Sequence, residues 1–274
     1  MTLSHQPLPN SLAEPSQQRP SMDLEPSSPW TIAPDEVHVW HGSLLQPDEV
    51  IQRLASLLDQ DEQQRSARYR FERHRKANIV ARGMLRDVLS RYLQIPGQDL
   101  CFNYNAHGKP ALKSAALPHS TSNSLTDLRF NLSHSGQVVV CAVSLGREIG
   151  IDVEAHRPMD KLLQMAERFF APAEQAALRQ LDVAEQLPAF FRCWTCKEAY
   201  IKAIGRGLSM PLDRFETDFI DREKAALKAN LDEPHEADRW TMIRLHLATD
   251  HAGALAVEGH GWKLSQFDWP PPVR

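Results

Sequence analysis

Apolar residues alternate over Val37-His38-Val39-Trp40, the period of a strand, and then recur at helical spacing as Val50, Leu54, Leu57 and Leu58 within Gln46 to Leu58. From Asp61 to Leu93 the chain is rich in arginine. Ile79, Val80, Met84, Leu85, Val88, Leu89 and Tyr92 nevertheless form one apolar stripe there, which predicts a single long amphipathic helix ending before Pro96-Gly97. Asp99 to Asn105 reads as a strand, Ala106 to Pro110 as a turn, and Lys113 to Asp127 as a polar, serine-rich surface loop. Leu128 to Ser133 and Gln137 to Ser144 read as strands joined by His134-Ser135-Gly136, and Glu148 to Val153 as a third after the Leu145-Gly146 turn.

Helical periodicity returns over Met159 to Phe170, Pro172 to Leu181 and Pro188 to Ile204, the last two opening on proline. A charged linker, Asp221 to Asp238, precedes strands over Trp240 to Leu247, Gly253 to Val257 and Trp262 to Trp269. Strands and helices are grouped instead of alternating singly. That predicts an α+β protein of two similar halves, 36–146 and 147–274, and not a parallel sheet of βαβ units. The first thirty residues hold six prolines, six serines and no glycine. Within segment 1–35, Met1 to about Ser28 therefore reads as a disordered tail that buries too little apolar surface to offset its ordering entropy.

Composition narrows the function classes. The 274 residues are 42% hydrophobic and 24% charged, with no apolar run near the ~18 residues of a membrane span, so a soluble globular protein without a membrane partner is expected. A formal net charge of -4 removes any generic attraction for nucleic acid, and an anion site has to be local. Cys101, Cys141, Cys193 and Cys196 lack a secretory spacing, which suits a reducing compartment such as the cytoplasm. Cys193-x-x-Cys196 has no second ligand pair at matching spacing, so it reads as a buried structural pair and not as a zinc or redox site.

Three clusters carry candidate chemistry. In Ile149-Gly150-Ile151-Asp152-Val153-Glu154 the strand period puts Asp152 and Glu154 on one face. Two adjacent carboxylates are either a solvated strand end or a seat for a hard cation such as Mg²⁺ shared with phosphate oxygens. In Trp194-Thr195-Cys196-Lys197-Glu198-Ala199-Tyr200-Ile201-Lys202, Glu198 and Lys202 share a helix face. They form either an i,i+4 ion pair or an acid and a cation aimed at the same phosphate. The third, Phe130-Asn131-Leu132-Ser133-His134-Ser135-Gly136, runs a strand into a tight turn whose polar groups could line an anion pocket. No Gly-x-Ser-x-Gly elbow accompanies it, which argues against covalent serine catalysis. Gly108-Lys109 and Arg65, Arg68 and Arg70 add cations.

These clusters, in this order, resemble the 4′-phosphopantetheinyl transferases of the large, monomeric, two-halved type. The matching segments are Gly108-Lys109-Pro110, Phe130 to His134, Ile149 to Glu154, and Trp194 to Lys202 followed by Gly205-x-Gly207-Leu208. The resemblance spans about Val37 to Phe215. It implies two similar α/β subdomains related by pseudo-twofold symmetry. The implied activity is transfer of the phosphopantetheine arm of coenzyme A to a serine of an apo acyl or peptidyl carrier protein. Asp152, Glu154 and Glu198 would bind Mg²⁺ at the coenzyme A pyrophosphate. Glu198, or a water it orients, would deprotonate the serine, and Lys202 would hold the pyrophosphate. Lys109, Ser133, His134 and Arg65 match coenzyme A contacts, the last three at the 3′-phosphate.

Two features depart from some relatives. Tyr104 and His107 stand where those have further basic residues, which implies a different grip on the adenosine end. Glu154 is present where some animal relatives lack the second carboxylate, which implies a fuller metal site. The competing functions are a metal-dependent phosphoesterase acting on a nucleotide and a catalytically inactive carrier-binding module.

Overall fold

The computed structural model describes residues 30–113, 127–247 and 250–270, so the N-terminal tail and most of the 113–127 loop lie outside the described residues. The first half runs β1 (Glu36–Ser43), α1 (Asp48–Leu57), α2 (Gln60–Ala67), α3 (Glu72–Leu93), a small hairpin β2 (Phe102–Tyr104) and β3 (Pro110–Leu112), then β4 (Leu128–Ser135) and β5 (Val138–Leu145). The second half repeats that order. It runs β6 (Ile149–Ala155), α4 (Leu162–Phe169), α5 (Pro172–Gln180), α6 (Val183–Ile204), a hairpin β7 (Phe215–Asp218) and β8 (Ala226–Asn230), the short α7 (Glu236–Arg239), then β9 (Trp240–Arg244) and β10 (His251–Glu258). In each half the first strand pairs with the last, and the last with the one before it: β1-β5-β4 and β6-β10-β9. This is the α+β fold of two similar halves expected from the grouping of elements. The final strand β11 (Lys263–Trp269) falls within residues 147–274 yet lies parallel to β1, at the edge of the first sheet.

The two sheets face each other, with a helical layer outside each. Strand β5 is buried along nearly its whole length because it has a partner on both faces. Val139, Cys141 and Val143 pack with Val80, Met84 and Val88 of α3. Val140 and Ala142 point the other way and pack with Ile149, Ile151 and Val153 of β6 and Leu255 of β10. Full burial of each large aliphatic side chain contributes about 1.5–3 kcal/mol. With Ile149, Ile151 and Val153 committed to the space between the sheets, the two-residue period turns Gly150, Asp152 and Glu154 toward the outer helix α6.

Several elements differ from the sequence expectation, each for a physical reason. The helix expected over Asp61 to Leu93 is broken at residues 68–71 into α2 and α3. Glu62 is buried and bonds both Arg82 and Arg86. In one straight helix residues 62 and 86 would lie about 36 Å apart, so this cluster requires α2 to fold back on α3. Arg86 is itself fully buried and also donates to Asp59 and to the carbonyls of Gly97 and Leu100. Helix α6 starts at Val183, five residues before Pro188, which sits inside the helix. The turn between β4 and β5 shrinks to Gly136-Gln137, with Gly136 at φ +59°, so His134 and Ser135 remain in the strand. The stretch expected as a charged linker contains β8 and α7.

His38 supplies a stability prediction. Its ring is 5% exposed beneath α3, with Nδ1 2.7 Å from the Tyr92 hydroxyl. Burial lowers its pKa from 6.5 to about 4, against the opposing pull of Glu36. The unfolded chain therefore binds a proton below pH 6.5 that the folded protein excludes until about pH 4. This contribution to stability is complete above pH 6.5 and is lost progressively as the pH falls through that window. Between pH 7 and pH 5 the loss should be about 2 kcal/mol in urea denaturation, and His38→Gln should remove that part of the slope. An identical slope in the variant would exclude His38 as its source.

Candidate active site

The site lies where β6 meets α6, and Gly150 sets the approach. A Cβ on Gly150 would overlap the Ala199 carbonyl oxygen and the Ala203 amide nitrogen and would lie 2.9 Å from the Ala203 Cα. Helix backbone thus rests directly on strand backbone. That contact carries Glu198 and Lys202, one helical turn apart, alongside Asp152 and Glu154. The C-terminus of α6 is fixed by the first half. Gly205, at φ +70°, ends the helix and accepts a 2.7 Å bond from Asn105 Nδ2. Lys109 Nζ donates 2.6 Å to the Ala203 carbonyl and 2.8 Å to Glu148. A cation on the last free carbonyls also suits the negative end of the helix dipole.

Asp152 is buried, and its Oδ1 accepts from Ser133 Oγ at 2.8 Å and from Lys202 Nζ at 2.6 Å. Its Oδ2 is buried with no partner. Burial raises the Asp152 pKa despite Lys202 and Ser133. Glu154 accepts from Ser135 Oγ at 2.9 Å and from the exposed Arg157 at 3.0 Å. Glu198 is pushed up to about 7, first by burial and then by the charges of Asp152 and Glu154. Burial and Lys202 lower the pKa of His134, which Glu154 opposes. Three carboxylates, one ammonium and one imidazole thus share a single field.

A polar ladder fixes the strand bearing the carboxylates. On β4, Asn131 Oδ1 accepts the Ile151 amide at 2.9 Å, Ser133 Oγ the Val153 amide at 3.4 Å, and Ser135 Oγ the Ala155 amide at 3.1 Å. The two serine hydroxyls meanwhile donate to Asp152 and Glu154. Asn131, Ser135 and Gly150 therefore belong to the site as groups that position the carboxylate strand and helix α6, a role their motifs alone do not reveal. Their signal was the two-residue spacing of Asn131, Ser133 and Ser135, which matches the spacing of β6.

Of the residues singled out by sequence, Asp152, Glu154, Glu198, Lys202, Ser133 and His134 come together. The Ser133 hydroxyl is engaged by Asp152 and Lys202. Lys109 caps the C-terminal turn of α6, just beyond Lys202, and lines a cavity of about 410 Å³ between the halves with Phe130, Arg129 and Gly205. Arg65 lines a separate cavity of about 500 Å³ with Arg68, Arg82, Tyr104 and Gly108. Its guanidinium lies 5.2 Å from the Tyr104 ring centroid. Arg82, hidden from sequence analysis among the residues of a helix, pairs with Glu62 and donates 3.1 Å to the Tyr104 hydroxyl. Tyr104 thus works with arginines that other elements supply.

Among the described residues no three His, Cys, Asp or Glu side chains already stand at ligating distances for a metal ion. Cys193 and Cys196 are buried, and burial raises both thiol pKa values, which keeps them protonated. No helix among the described residues is long and apolar enough to cross a membrane.

Two family models match the chain, one in each half. Residues 148–256 match the 4′-phosphopantetheinyl transferase superfamily, and residues 45–146 match the 4′-phosphopantetheinyl transferase N-terminal family. The chain is 38% identical to 4′-phosphopantetheinyl transferase HetI of Nostoc sp. over 85% of its own length and 92% of the relative's. It is 33% identical to 4′-phosphopantetheinyl transferase Sfp of Bacillus subtilis over 60% and 67% of the two lengths. It is 28% identical to the L-aminoadipate-semialdehyde dehydrogenase-phosphopantetheinyl transferase of Xenopus laevis over 74% and 69%. With both halves matched and the carboxylate strand and acid-lysine helix inside the matched regions, the chain belongs to the 4′-phosphopantetheinyl transferase superfamily, in its large two-halved group.

Proposed function

We propose that the protein transfers the 4′-phosphopantetheine group of coenzyme A to a serine hydroxyl of an apo acyl or peptidyl carrier protein, releasing adenosine 3′,5′-bisphosphate. The observation that supports this most is the convergence of Asp152, Glu154, Glu198 and Lys202 on one face between β6 and α6. The serine oxygen forms the new bond to the phosphorus bearing the pantetheine arm, and the bond from that phosphorus to the bridging oxygen breaks. The serine proton passes to Glu198, directly or through a water. A carboxylate positioned beside the diphosphate is the kind of group that can take this proton. Lys202 holds negative charge on the diphosphate, and Ser133 keeps Asp152 oriented while that happens.

Mg²⁺ fits the donor set. The candidate ligands are all hard oxygens, as Mg²⁺ requires, and Asp152 Oδ2 is a buried acceptor in want of a partner. Asp152, Glu154 and Glu198 would hold the ion, which when bound would offset charge developing on the leaving 5′-phosphate of the adenosine bisphosphate. On this reading Arg65, Arg68 and Arg82 grip the phosphorylated adenosine end, and the Lys109 cavity lies beside the cleft between the halves. The protein acts as a monomer in the cytoplasm, because one chain supplies every group the reaction needs and the cysteines are free thiols.

The test combines the protein, coenzyme A, Mg²⁺ and a set of apo carriers, and weighs each carrier by mass spectrometry. A gain of one phosphopantetheine group is expected, and it should vanish on chelation of the metal. Consumption of coenzyme A with no gain on any carrier would overturn transfer in favour of phosphoester hydrolysis. Arg65→Gln should raise the KM for coenzyme A about tenfold and leave kcat near the parent value, the pattern of a contact made equally in ground and transition states. An unchanged KM would remove Arg65 from the coenzyme A site.

A further inference from the structure

A second cationic pocket lies toward the N-terminal turns of α6, away from Lys202. It encloses about 340 Å³ between α6, the ends of β6 and β9 and the start of β10. Three guanidiniums line it, those of Arg192, Arg222 and Arg244, against one carboxylate, Glu185. Glu185 is taken by Arg222, at 2.7 Å on the outer rim. The other two arginines make no carboxylate pair among the described residues. Arg192 lines the pocket and donates from Nε to the Phe219 carbonyl at 3.0 Å, and among the described residues its two terminal nitrogens have no hydrogen-bond acceptor. Arg244 is 5% exposed, and among the described residues its guanidinium donates to the carbonyls of Asp218 and Asp221 and to the Cys196 sulfur.

Two further observations point to a missing anion. His156 Nε2 is buried with no hydrogen-bond partner. Burial first, and then the neighbouring Arg244, lower the pKa of Arg192, with Glu185 opposing and Arg222 adding to the like charge. The remaining imidazoles of the lining are already engaged, His246 with Glu223 at 3.4 Å and His251 with Asp250 at 2.8 Å. Buried, like-charged groups of this kind are costly unless a ligand of opposite sign completes them.

We propose that this pocket binds a phosphate monoester, with its dianionic end held by Arg192, Arg244 and His156 and its organic part filling the remaining volume. Guanidinium forks match phosphate oxygens in geometry and charge. The volume falls in the range of small-molecule sites and exceeds what an inorganic phosphate ion needs, which favours the monoester. The site is separate from the proposed transfer site but mechanically joined to it. His156 follows Asp152 by four residues of strand, about 13 Å. It stacks on Phe191 of α6, ring centroids 5.4 Å apart, seven residues or about 10 Å before Glu198. The same strand and the same helix therefore border both sites.

Equilibrium dialysis of the full chain, in chloride buffer without divalent metal, tests this with radiolabelled inorganic phosphate and with glucose 6-phosphate as the monoester probe. Glucose 6-phosphate should bind at least as tightly as inorganic phosphate at a site that Arg192→Gln weakens at least about tenfold. Arg65→Gln, which alters the separate arginine cavity, should leave that site unchanged. Arg222→Gln, on the exposed rim, should weaken it about threefold and keeps the test decisive if Arg192→Gln fails to fold. Binding of inorganic phosphate alone would overturn the monoester assignment. Absence of any site sensitive to Arg192 or Arg222 would overturn the pocket. Neither result bears on transfer to a carrier, which is read separately by mass.

Discussion

Glu198→Gln should lower kcat/KM for carrier modification by about a thousandfold, within the range that removal of a positioned general base produces. The fold should survive, because the glutamate sits in the fields of Asp152 and Glu154, and the amide removes that repulsion. The melting temperature is therefore expected at or above that of the parent. A merely structural role would give the opposite pair of results, retained activity in the fraction still folded and a lower melting temperature. Asp152→Ala is the companion. It removes the carboxylate whose Oδ1 holds Lys202 and whose Oδ2 lacks a partner, so activity and its Mg²⁺ response should be lost together. Glu198→Gln turning over within tenfold of the parent would end the assignment of Glu198 as the base.

The local periodicities explain why so much of this site was legible. A period of two puts Asp152 and Glu154 on one side of a strand, and four residues of helix put Glu198 and Lys202 on one side of a helix, whatever the tertiary fold. The resemblance then supplied what no local pattern could, that the two faces meet. The parts that escaped are those set by partners distant in sequence. Glu62 buries itself against Arg82 and Arg86 and breaks a helix whose apolar stripe reads as continuous. Strand β11 has the alternation of any edge strand, and nothing in that alternation says that it crosses back to lie beside β1. Arg192, Arg222 and Arg244 come from a helix, a loop and a strand, so their convergence has no sequence signature. The same holds for Lys109. Its place in a Gly-Lys-Pro turn is visible in the sequence, but its salt bridge to Glu148 and its bond to the Ala203 carbonyl follow only from how the halves meet.

Gly150→Ala should be nearly as damaging to turnover as the loss of an acid, although glycine carries no functional group. The added methyl would meet the Ala199 carbonyl and the Ala203 amide, and neither can swing aside as a side chain would. Helix α6 must then shift off β6, carrying Glu198 and Lys202 away from Asp152. A displacement of about 1 Å at the reacting groups costs about a hundredfold in rate, and the forced contact should destabilise the fold by about 1–3 kcal/mol. Gly83→Ala separates the two effects. Its new methyl would meet the Leu54 side chain, its Cβ at 2.6 Å, where α1 packs on α3 and far from the carboxylates. That variant should lose stability of similar size in urea denaturation yet keep its kcat per folded molecule. Lys202→Arg adds a second check, since a longer cation would partly recover the reach to Asp152 in the Gly150→Ala background if separation of α6 from β6 is the fault. Equal kcat losses in Gly150→Ala and Gly83→Ala would mean that general instability, and not the spacing between strand and helix, limits the reaction.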